Sequence, residues 1–333
     1  MGTLYLTEAG SVARRESGRI IVTNKTQELV NVPINQVEAV IIFPGVHITT
    51  SLTASWLAQG VPVTYLSNRG TYYGRLEPLR CVNVERQLKQ VACLNDPTFC
   101  LQLSKSIIYA KIRNTTTILR EFARHHDSIG YDEVSETMNR HLQKIEHAPT
   151  IQSLIGYEGM ASKDHFSYIN RFIRSDFRFR GRSRNPPRDP FNSMLSFGYT
   201  LLLFDLYTLI AAHGLHPYFG FLHKPRNGHA ALASDLMEEW RPILVDAFVI
   251  HLANRNTFHA DDFESDQYGG VFMNREQAKL FIRRYEERIK RVRQGANGLT
   301  EFNYRIHLEN QVKMLAKAVD EHDSSKYIAY RLQ

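Results

Sequence analysis

Residues 72–94 read YYGRLEPLRCVNVERQLKQVACL, and the hydrophobic pattern of the chain changes within this stretch. Before it, short β-branched segments alternate with Gly, Pro and Asn turn signals, which is typical of β-strands. From about residue 87 onward, apolar residues recur with the longer period of α-helices. We therefore predict an α+β fold, with a small β-rich, sandwich-like domain over residues 1–86 and a larger all-α domain over residues 87–333.

The two parts can be divided further into candidate elements. Strands are expected over residues 19–23, 29–34, 37–43, 61–66 and 72–75. One helix interrupts them, with Thr50 as its expected N-cap and Gly60 as its end. This helix and the strands flanking it resemble a βαβ unit, but no phosphate-binding glycine loop accompanies them. The second part has candidate helices over residues 97–126, 131–146, 150–176, 190–213, 231–254, 274–293 and 300–321.

The bulk properties exclude several classes of protein. No apolar run reaches membrane length, because Asp205 interrupts residues 201–212, so we expect a soluble, cytoplasmic protein. The three cysteines, Cys81, Cys93 and Cys100, form no CxxC pair. We expect them to be buried free thiols, with no zinc site and no disulfide framework.

Glu158 lies on a helix face that should be buried. Stepping 100° per residue from Ile151 brings a set of apolar residues onto one stripe with Glu158 in its middle. These residues are Ile151, Leu154, Ile155, Phe166, Ile169 and Ile173. A buried carboxylate needs a cationic partner, so Glu158 either pairs with an Arg from a neighbouring helix or binds a metal ion.

A second acidic group follows a turn histidine. Asp235 and Glu238 project together from a predicted helix, and His223 lies just upstream in a turn that can fold back over them. Imidazole and carboxylate ligands suit Mn²⁺ or Mg²⁺. The alternative is a solvated acidic helix face beside a turn histidine. Spacing alone does not choose among Asp235, Glu238 and Glu239.

Three polar residues share one face of an otherwise apolar helix. Asn192, Ser196 and Tyr199 are spaced i, i+4 and i+7, and we expect them to form a buried hydrogen-bonded set that braces neighbouring helices. No GxSxG turn accompanies Ser196, so it is not a candidate nucleophile.

The positive charge is concentrated in one stretch. The whole chain has a net charge of +7, and residues 163–188 hold eight Lys and Arg against two Asp, a net of +6. Arg side chains suit bidentate binding of phosphate. A local basic stretch can also be an ordinary solvated face. Its candidate DNA-binding residues are Lys163, Arg171, Arg174, Arg178, Arg180, Arg182 and Arg184.

Several motifs together resemble a known family. In chain order they are residues 156–159 (GYEG), 179–187 (FRGRSRNPP), 189–199 (DPFNSMLSFGY), 222–223 (LH) and 235–242 (DLMEEWRP). With residues 4–11 and 111–114, they resemble the CRISPR-associated integrase/endonuclease family, the catalytic subunit of spacer acquisition, over essentially the whole chain.

The resemblance implies both a site and a reaction. It implies that Glu158, His223 and Glu238 are the catalytic residues and hold Mg²⁺ or Mn²⁺, with Asp235 as a supporting acid. It also implies a homodimer formed largely through the N-terminal domain, a small companion adaptation protein, and double-stranded DNA as substrate. In this family, 3′-hydroxyls of a protospacer attack phosphodiesters at the boundary of a CRISPR repeat.

Two other functions remain open from the residues. The first is a non-catalytic DNA-binding scaffold whose acidic cluster is structural. The second is a metallohydrolase acting on a small phosphorylated substrate, which leaves the arginine-rich stretch without a role.

Overall fold

A computed structural model describes residues 2–25, 27–79, 82–124, 130–173, 177, 179–290 and 303–332. The chain forms two compact units, Met1–Val82 and Asn83–Gln333. The first unit is built from strands and one helix, and the second is dominated by helices. This confirms the predicted α+β class.

The first unit contains two four-stranded sheets. Its strands are β1 (Gly2–Leu6), β2 (Ser11–Glu16), β3 (Arg19–Asn24), β4 (Gln27–Pro33), β5 (Val37–Ile42), β6 (His47–Ile48), β7 (Val63–Leu66) and β8 (Tyr72–Leu76). One sheet has the order β1-β5-β7-β8, in which only β8 is antiparallel to its neighbour. The other has the order β4-β3-β2-β6, in which only the β2–β6 pair is parallel.

Both sheets and the helix α1 (Thr50–Ala58) contribute to one hydrophobic core. Ile20 of β3, Val40 of β5 and Val63 of β7 are fully buried there, together with Leu52 and Trp56 of α1. A core enclosed between two sheets is the packing principle of a sandwich. The first unit is therefore sandwich-like, with one helix completing its core.

The helix α1 connects two parallel strands, so the expected βαβ connection is present. Its N-cap is Thr49 instead of the predicted Thr50, because the Thr49 hydroxyl accepts a hydrogen bond from the Leu52 N–H (3.4 Å). Strands β1, β2 and β6 were not predicted. β2 carries two arginines and a glutamate, and β6 has only two residues, so neither shows a hydrophobic pattern of its own.

The second unit is mainly helical. Its helices are α2 (Val84–Leu94), α3 (Pro97–Ala123), α4 (Tyr131–Glu146), α5 (Ile151–Phe172), α6 (Pro190–Ala212), α7 (Ala231–Trp240), α8 (Ala247–Asn254), α9 (Arg275–Ile289) and α10 (Tyr304–Glu321). The helix α2 and an antiparallel hairpin of β9 (Phe263–Ser265) and β10 (Val271–Met273) were not predicted. The hairpin means that this unit is not strictly all-α.

The predicted helix over residues 231–254 is interrupted. Its helical hydrogen bonding changes to the π form over Arg241–Asp246, between α7 and α8. Pro242 has no N–H to donate, and its ring conflicts with the preceding turn of an α-helix. The wider π turn accommodates the proline, and π turns of this kind are frequent at functional sites.

The helix α6 corrects the expectation that no apolar run reaches membrane length. Among the described helices, α6 alone is long and apolar enough to cross a bilayer by length and composition. Most of its residues are buried in the second unit, and its one charged residue, Asp205, accepts hydrogen bonds from Arg305 (3.1 Å) and Tyr285 (3.2 Å). These contacts are those of a core helix.

The described cysteines agree with the expectation of buried thiols. Cys93 and Cys100 are free and buried, and burial raises the pKa of both thiols to about 11. Cys81 lies outside the described residues.

Two glycines within helices make a matched pair for a stability test. A Cβ on Gly198 of α6 would lie 2.8 Å from Val245 Cγ1, whereas a Cβ on Gly156 of α5 would meet nothing within 4 Å. We expect Gly198→Ala to lower the free energy of unfolding by about 1–3 kcal/mol through overpacking. Gly156→Ala should raise it by about 0.5–1 kcal/mol through helix propensity. Thermal unfolding followed by circular dichroism measures both, and equal effects would contradict the packing of α6.

Candidate functional site

Glu158 lies on the side of α5 that faces other helices of the second unit. Thr150 and Ser153 form a capping box that begins the helix, and Leu154 and Ala161 are buried on either side of Glu158. The Glu158 side chain is 23% exposed. The predicted stripe needs one correction: Ile155 is 43% exposed, because the buried face is centred nearer Ala161 than the periodicity suggested.

The cationic partner of Glu158 comes from α3. Lys111 Nζ donates a hydrogen bond to Glu158 Oε1 and a second to Glu238 Oε2 (2.7 Å), so it lies between the two carboxylates. Ser162, one turn after Glu158, donates to the same Glu158 oxygen (2.6 Å). Burial raises the pKa of Glu158, but Lys111 outweighs that effect and lowers it overall. The pairing expected of Glu158 is thus made by a lysine in place of an arginine.

The acidic residues of α7 are buried, which excludes the solvated acidic face considered above. Every residue from Ala231 to Trp240 is buried, and the Glu238 side chain is 5% exposed. Glu238 Oε1 forms an ion pair with Arg241 Nη1 (3.1 Å), while its other oxygen accepts a hydrogen bond from Lys111. Burial raises the pKa of Glu238, but Arg241 and Lys111 outweigh this and lower it to about 2. Glu238 is therefore ionised throughout the physiological range.

Asp235 holds His223 in a fixed orientation. Its two oxygens accept the backbone N–H groups of Phe221 (2.6 Å), Leu222 (3.0 Å) and His223 (3.0 Å). They also accept from His223 Nδ1 (2.7 Å). An imidazole that donates its Nδ1–H to a carboxylate presents the Nε2 lone pair to a ligand. The hydrogen bond to Asp235 raises the pKa of His223, and the charge of Glu238 raises it further.

The geometry also separates Glu239 from its acidic neighbours. Its carboxylate accepts from the Tyr327 hydroxyl (2.8 Å) and the Tyr330 N–H (3.0 Å) near the C-terminus. Burial raises the pKa of Glu239 to about 8. Glu239 therefore anchors the C-terminal segment, whereas Asp235 and Glu238 face the other candidate residues.

The polar residues of α6 surround an arginine. Arg182 donates to Asn192 Oδ1 (2.9 Å) and Ser196 Oγ (3.1 Å), and its guanidinium lies 5.3 Å from the centroid of the Tyr199 ring. The Tyr199 hydroxyl donates to Asp246, which also contacts His165 Nε2 (2.9 Å).

Arg241 extends this network to Glu238. Its guanidinium lies 5.1 Å from the centroid of the Tyr199 ring, on which Arg182 also stacks. Asn192 and Ser196 thus contact Arg182, and Tyr199 lies against both Arg182 and Arg241, of which Arg241 pairs with Glu238.

A cavity of about 600 Å³ opens beside Glu158. Lys163, Arg180 and Arg184 line it and are exposed, and Arg182 lines it from its network with α6. Phe166 and Phe179 contribute apolar surface to the same cavity. A cavity with this lining suits a phosphate group attached to a flat or apolar body.

Not every residue of the arginine-rich stretch faces this cavity. Arg171 pairs with Glu133 of α4 (3.2 Å), and Arg188 donates to the Tyr268 carbonyl (2.7 Å). Arg174 and Arg178 lie outside the described residues. The structure therefore groups Lys163, Arg180, Arg182 and Arg184 beside Glu158, but not Arg171.

The chemistry of the candidate donors, although not their present spacing, suits a hard divalent cation. Glu158 and Glu238 are ionised and converge on one ammonium group, and the contact of His223 Nδ1 with Asp235 leaves Nε2 as the ring atom that could bind a cation. Oxygen and imidazole ligands of this kind suit Mn²⁺ and Mg²⁺. In the described part of the chain, no group of three His, Cys, Asp or Glu side chains is spaced to hold a metal ion. Lys111 occupies the position between the two glutamates.

Lys111, Ser162 and Arg241 were not recognised as site residues from their chemistry. A signal for Lys111 exists, since it follows Leu103 and Ile107 at intervals of four on α3 and therefore falls on a buried stripe. Ser162 has a weaker signal in its i+4 spacing from Glu158. Arg241 has none, because the π turn that places it is not visible in the periodicity.

A substitution tests the role of Asp235. Asp235→Asn removes the negative charge that stabilises the His223 imidazolium, so the pKa of His223 should fall, as measured by NMR titration. In the native protein this pair contributes stability fully below about pH 6.5, and the contribution is lost as the pH rises through the raised pKa. The variant should lack that pH dependence of unfolding. An unchanged His223 pKa would contradict the observed hydrogen bond.

The chain is similar to known proteins over most of its length. The family model for CRISPR associated protein Cas1 matches residues 4–287. A CRISPR-associated endonuclease Cas1 of Mycobacterium tuberculosis (strain ATCC 25618 / H37Rv) is 31% identical over 330 residues, which is 98% of this chain and 97% of that protein. A CRISPR-associated endonuclease Cas1 of Rhodospirillum rubrum is 33% identical over 304 residues, 88% of each chain.

Solved structures share the fold. A Cas1 protein from Thermotoga maritima has a TM-score of 0.81 at 23% identity, over 96% of this chain and 97% of that chain. A casposase bound to an integration product has a TM-score of 0.84 at 19% identity, over 100% and 96% of the two chains. A chain of a Cas6-RT-Cas1–Cas2 complex has a TM-score of 0.85 at 24% identity, and this protein spans 36% of its length. The extent of the family match and the identity to these relatives show that the chain belongs to the Cas1 family of CRISPR-associated proteins.

Proposed function

We propose that this protein is a divalent-metal-dependent DNA endonuclease and integrase that inserts protospacer DNA into a CRISPR array. Relatives at 31–33% identity are named CRISPR-associated endonucleases, and the fold is shared with a casposase bound to an integration product. The observation that carries the proposal is an ionised Glu158 at the edge of a cavity lined by Lys and Arg, joined through Lys111 to a second ionised carboxylate, that of Glu238. Phosphodiester chemistry needs carboxylates that can hold a metal ion beside cationic side chains that can bind phosphate.

Glu158, His223 and Glu238 would hold the cation, which is Mg²⁺ or Mn²⁺ in our proposal. When bound, such a cation polarises a phosphodiester and neutralises the charge that develops on it. Asp235 fixes the imidazole tautomer, and Arg241 fixes one oxygen of Glu238. Lys163, Arg180 and Arg184 would bind backbone phosphates and set the register of the DNA.

The proposed reaction is a transesterification. The 3′-oxygen of a protospacer strand forms a bond to a phosphorus atom at the repeat boundary, and the bond from that phosphorus to the 3′-oxygen of the repeat strand breaks. The attacking hydroxyl loses its proton and the departing oxygen gains one, so the number of phosphodiesters is conserved. With water as the nucleophile, the same site would hydrolyse DNA.

The protein is proposed to act in the cytoplasm as a homodimer with a small companion adaptation protein. Residues 1–86 would supply the dimer contacts, and residues 87–333 the catalytic, DNA-binding and metal-binding functions. A solved Cas6-RT-Cas1–Cas2 complex of the same fold supports the assembly with a companion. The exposed aromatic and aliphatic side chains Tyr73 and Leu76 of β8 support a contact through the first unit.

One observation favours the non-catalytic scaffold as the second candidate. Lys111 and Arg241 already compensate the charges of Glu158 and Glu238, as expected of a structural ion cluster. A scaffold would bind DNA with the same salt dependence but would show no activity that depends on a metal. Chelation by EDTA therefore separates the two functions: loss of strand transfer supports the integrase, and DNA binding should persist.

Substitution of the proposed ligands gives a direct test. In a half-site integration assay with protospacer and repeat DNA, Mn²⁺ and the companion protein, Glu158→Gln should lower the rate of strand transfer by more than about 10²-fold. Equilibrium DNA binding should be unchanged. Glu276→Gln on α9 is a matched control, since Glu276 is 76% exposed, and it should retain activity. Full strand transfer by the Glu158 variant would refute the site assignment.

The cavity lining predicts which cations contact DNA. Lys163→Ala or Arg184→Ala should weaken DNA binding and reduce the slope of log Kobs against log salt concentration by about 0.9 each. Lys317→Ala on α10, which also removes an exposed cation, should leave the slope unchanged. Fluorescence anisotropy with labelled duplex DNA at several salt concentrations measures these slopes. Equal slopes in all three variants would place the DNA elsewhere.

A further inference from the structure

We propose that Lys111 sets the affinity of the site for its divalent cation, because its ammonium group binds the same carboxylate oxygens that the cation needs. DNA in the adjacent cavity would draw the ammonium away, so that DNA and cation bind cooperatively. This inference rests on the proposed function and assigns a positioning role to a residue outside the proposed ligand set.

The contacts of Lys111 support this role. Its Nζ donates to Glu158 Oε1, Glu238 Oε2 (2.7 Å) and Ser162 Oγ (3.2 Å), which accounts for all three of its hydrogens. Its side chain is 10% exposed, so little water competes for these bonds. The second oxygen of Glu238 is held by Arg241 (3.1 Å).

A divalent cation that shares these oxygens would lie within a few ångströms of the ammonium. Two cations at that separation repel strongly where water is largely excluded. Arg241 and Lys111 respond differently to this repulsion. Arg241 is stacked on Tyr199, so its planar group is fixed. Lys111 carries a compact ammonium on a flexible stem, so it can rotate to another acceptor without moving α3.

The alternative acceptor for the Lys111 ammonium would be a DNA phosphate bound in the cavity. Ser162, which already contacts Lys111 Nζ, lines the cavity together with Glu158, Lys163 and Arg182. A DNA phosphate in this cavity offers anionic oxygens to the ammonium and thereby frees the glutamates for the cation. By linkage, if DNA raises the affinity for the cation by some factor, the cation raises the affinity for DNA by the same factor.

The test is a titration of the full-length protein with Mn²⁺, in which free Mn²⁺ is measured by electron paramagnetic resonance. Lys111→Met keeps the length of the side chain but removes its charge, and it should bind Mn²⁺ at least about tenfold more tightly than the native protein in the absence of DNA. Lys111→Arg keeps the charge and should not bind more tightly. A 20-base-pair duplex should increase the Mn²⁺ affinity of the native protein by a larger factor than that of Lys111→Met.

Equal or weaker Mn²⁺ binding by Lys111→Met would overturn the proposal. If this variant does not fold in EDTA, Mn²⁺ should restore its cooperative thermal transition, since the cation replaces the missing charge. Failure to restore it would also overturn the proposal.

Glu238→Gln separates this result from the proposed function. If Glu238→Gln abolishes Mn²⁺ binding and Lys111→Met leaves it unchanged, only the role of Lys111 is overturned. An absence of Mn²⁺ binding in every variant overturns the metal site as well.

Discussion

The burial of two negative charges between helices is the constraint on which the helical unit depends. Glu158 of α5 and Glu238 of α7 are both largely removed from water, and an uncompensated carboxylate there would destabilise the fold by several kcal/mol, on the order of the whole stability of a domain. Lys111 compensates both charges from α3, which packs against both of the other helices. The position of the three helices is thus tied to one ammonium group.

A chain of polar contacts leads outward from this centre. Arg241 connects Glu238 to the Tyr199 ring, and Tyr199 connects to Asp246, which contacts His165 of α5. Arg241 and Asp246 are the first and last residues of the π turn. Pro242 lies within this turn, so the segment that accommodates the proline also places two members of the network. Arg241 contacts α7 through Glu238 and α6 through Tyr199, and Asp246 contacts α5 through His165. The network therefore fixes α5, α6 and α7 relative to one another at the site.

The sequence predicted those features that depend on local pattern. The change from strands to helices is local, and so is the position of Glu158 among apolar residues of α5. The acidic face of α7 was open to two interpretations, because a single helix does not reveal that neighbours cover it on all sides. The role of Lys111 was missed for a related reason: its partners lie 47 and 127 residues away in the chain. Contacts at that separation are set by packing, so the periodicity of α3 marks Lys111 as buried but does not identify its partners.

The charge of the arginine-rich stretch illustrates the same limit for binding. In the sequence its eight cations are equivalent, and together they suggest one basic surface. In the structure, Arg171 pairs with Glu133 and Arg182 is held by Asn192 and Ser196, so these two serve the fold. Lys163, Arg180 and Arg184 are exposed around the cavity beside Glu158. A cation bonded within the protein would have to give up its partners to bind phosphate, whereas an exposed one gives up only water. We therefore expect the attraction for DNA to follow the number of exposed cations at the cavity instead of the net charge of the stretch, and to act beside Glu158, which lines the same cavity.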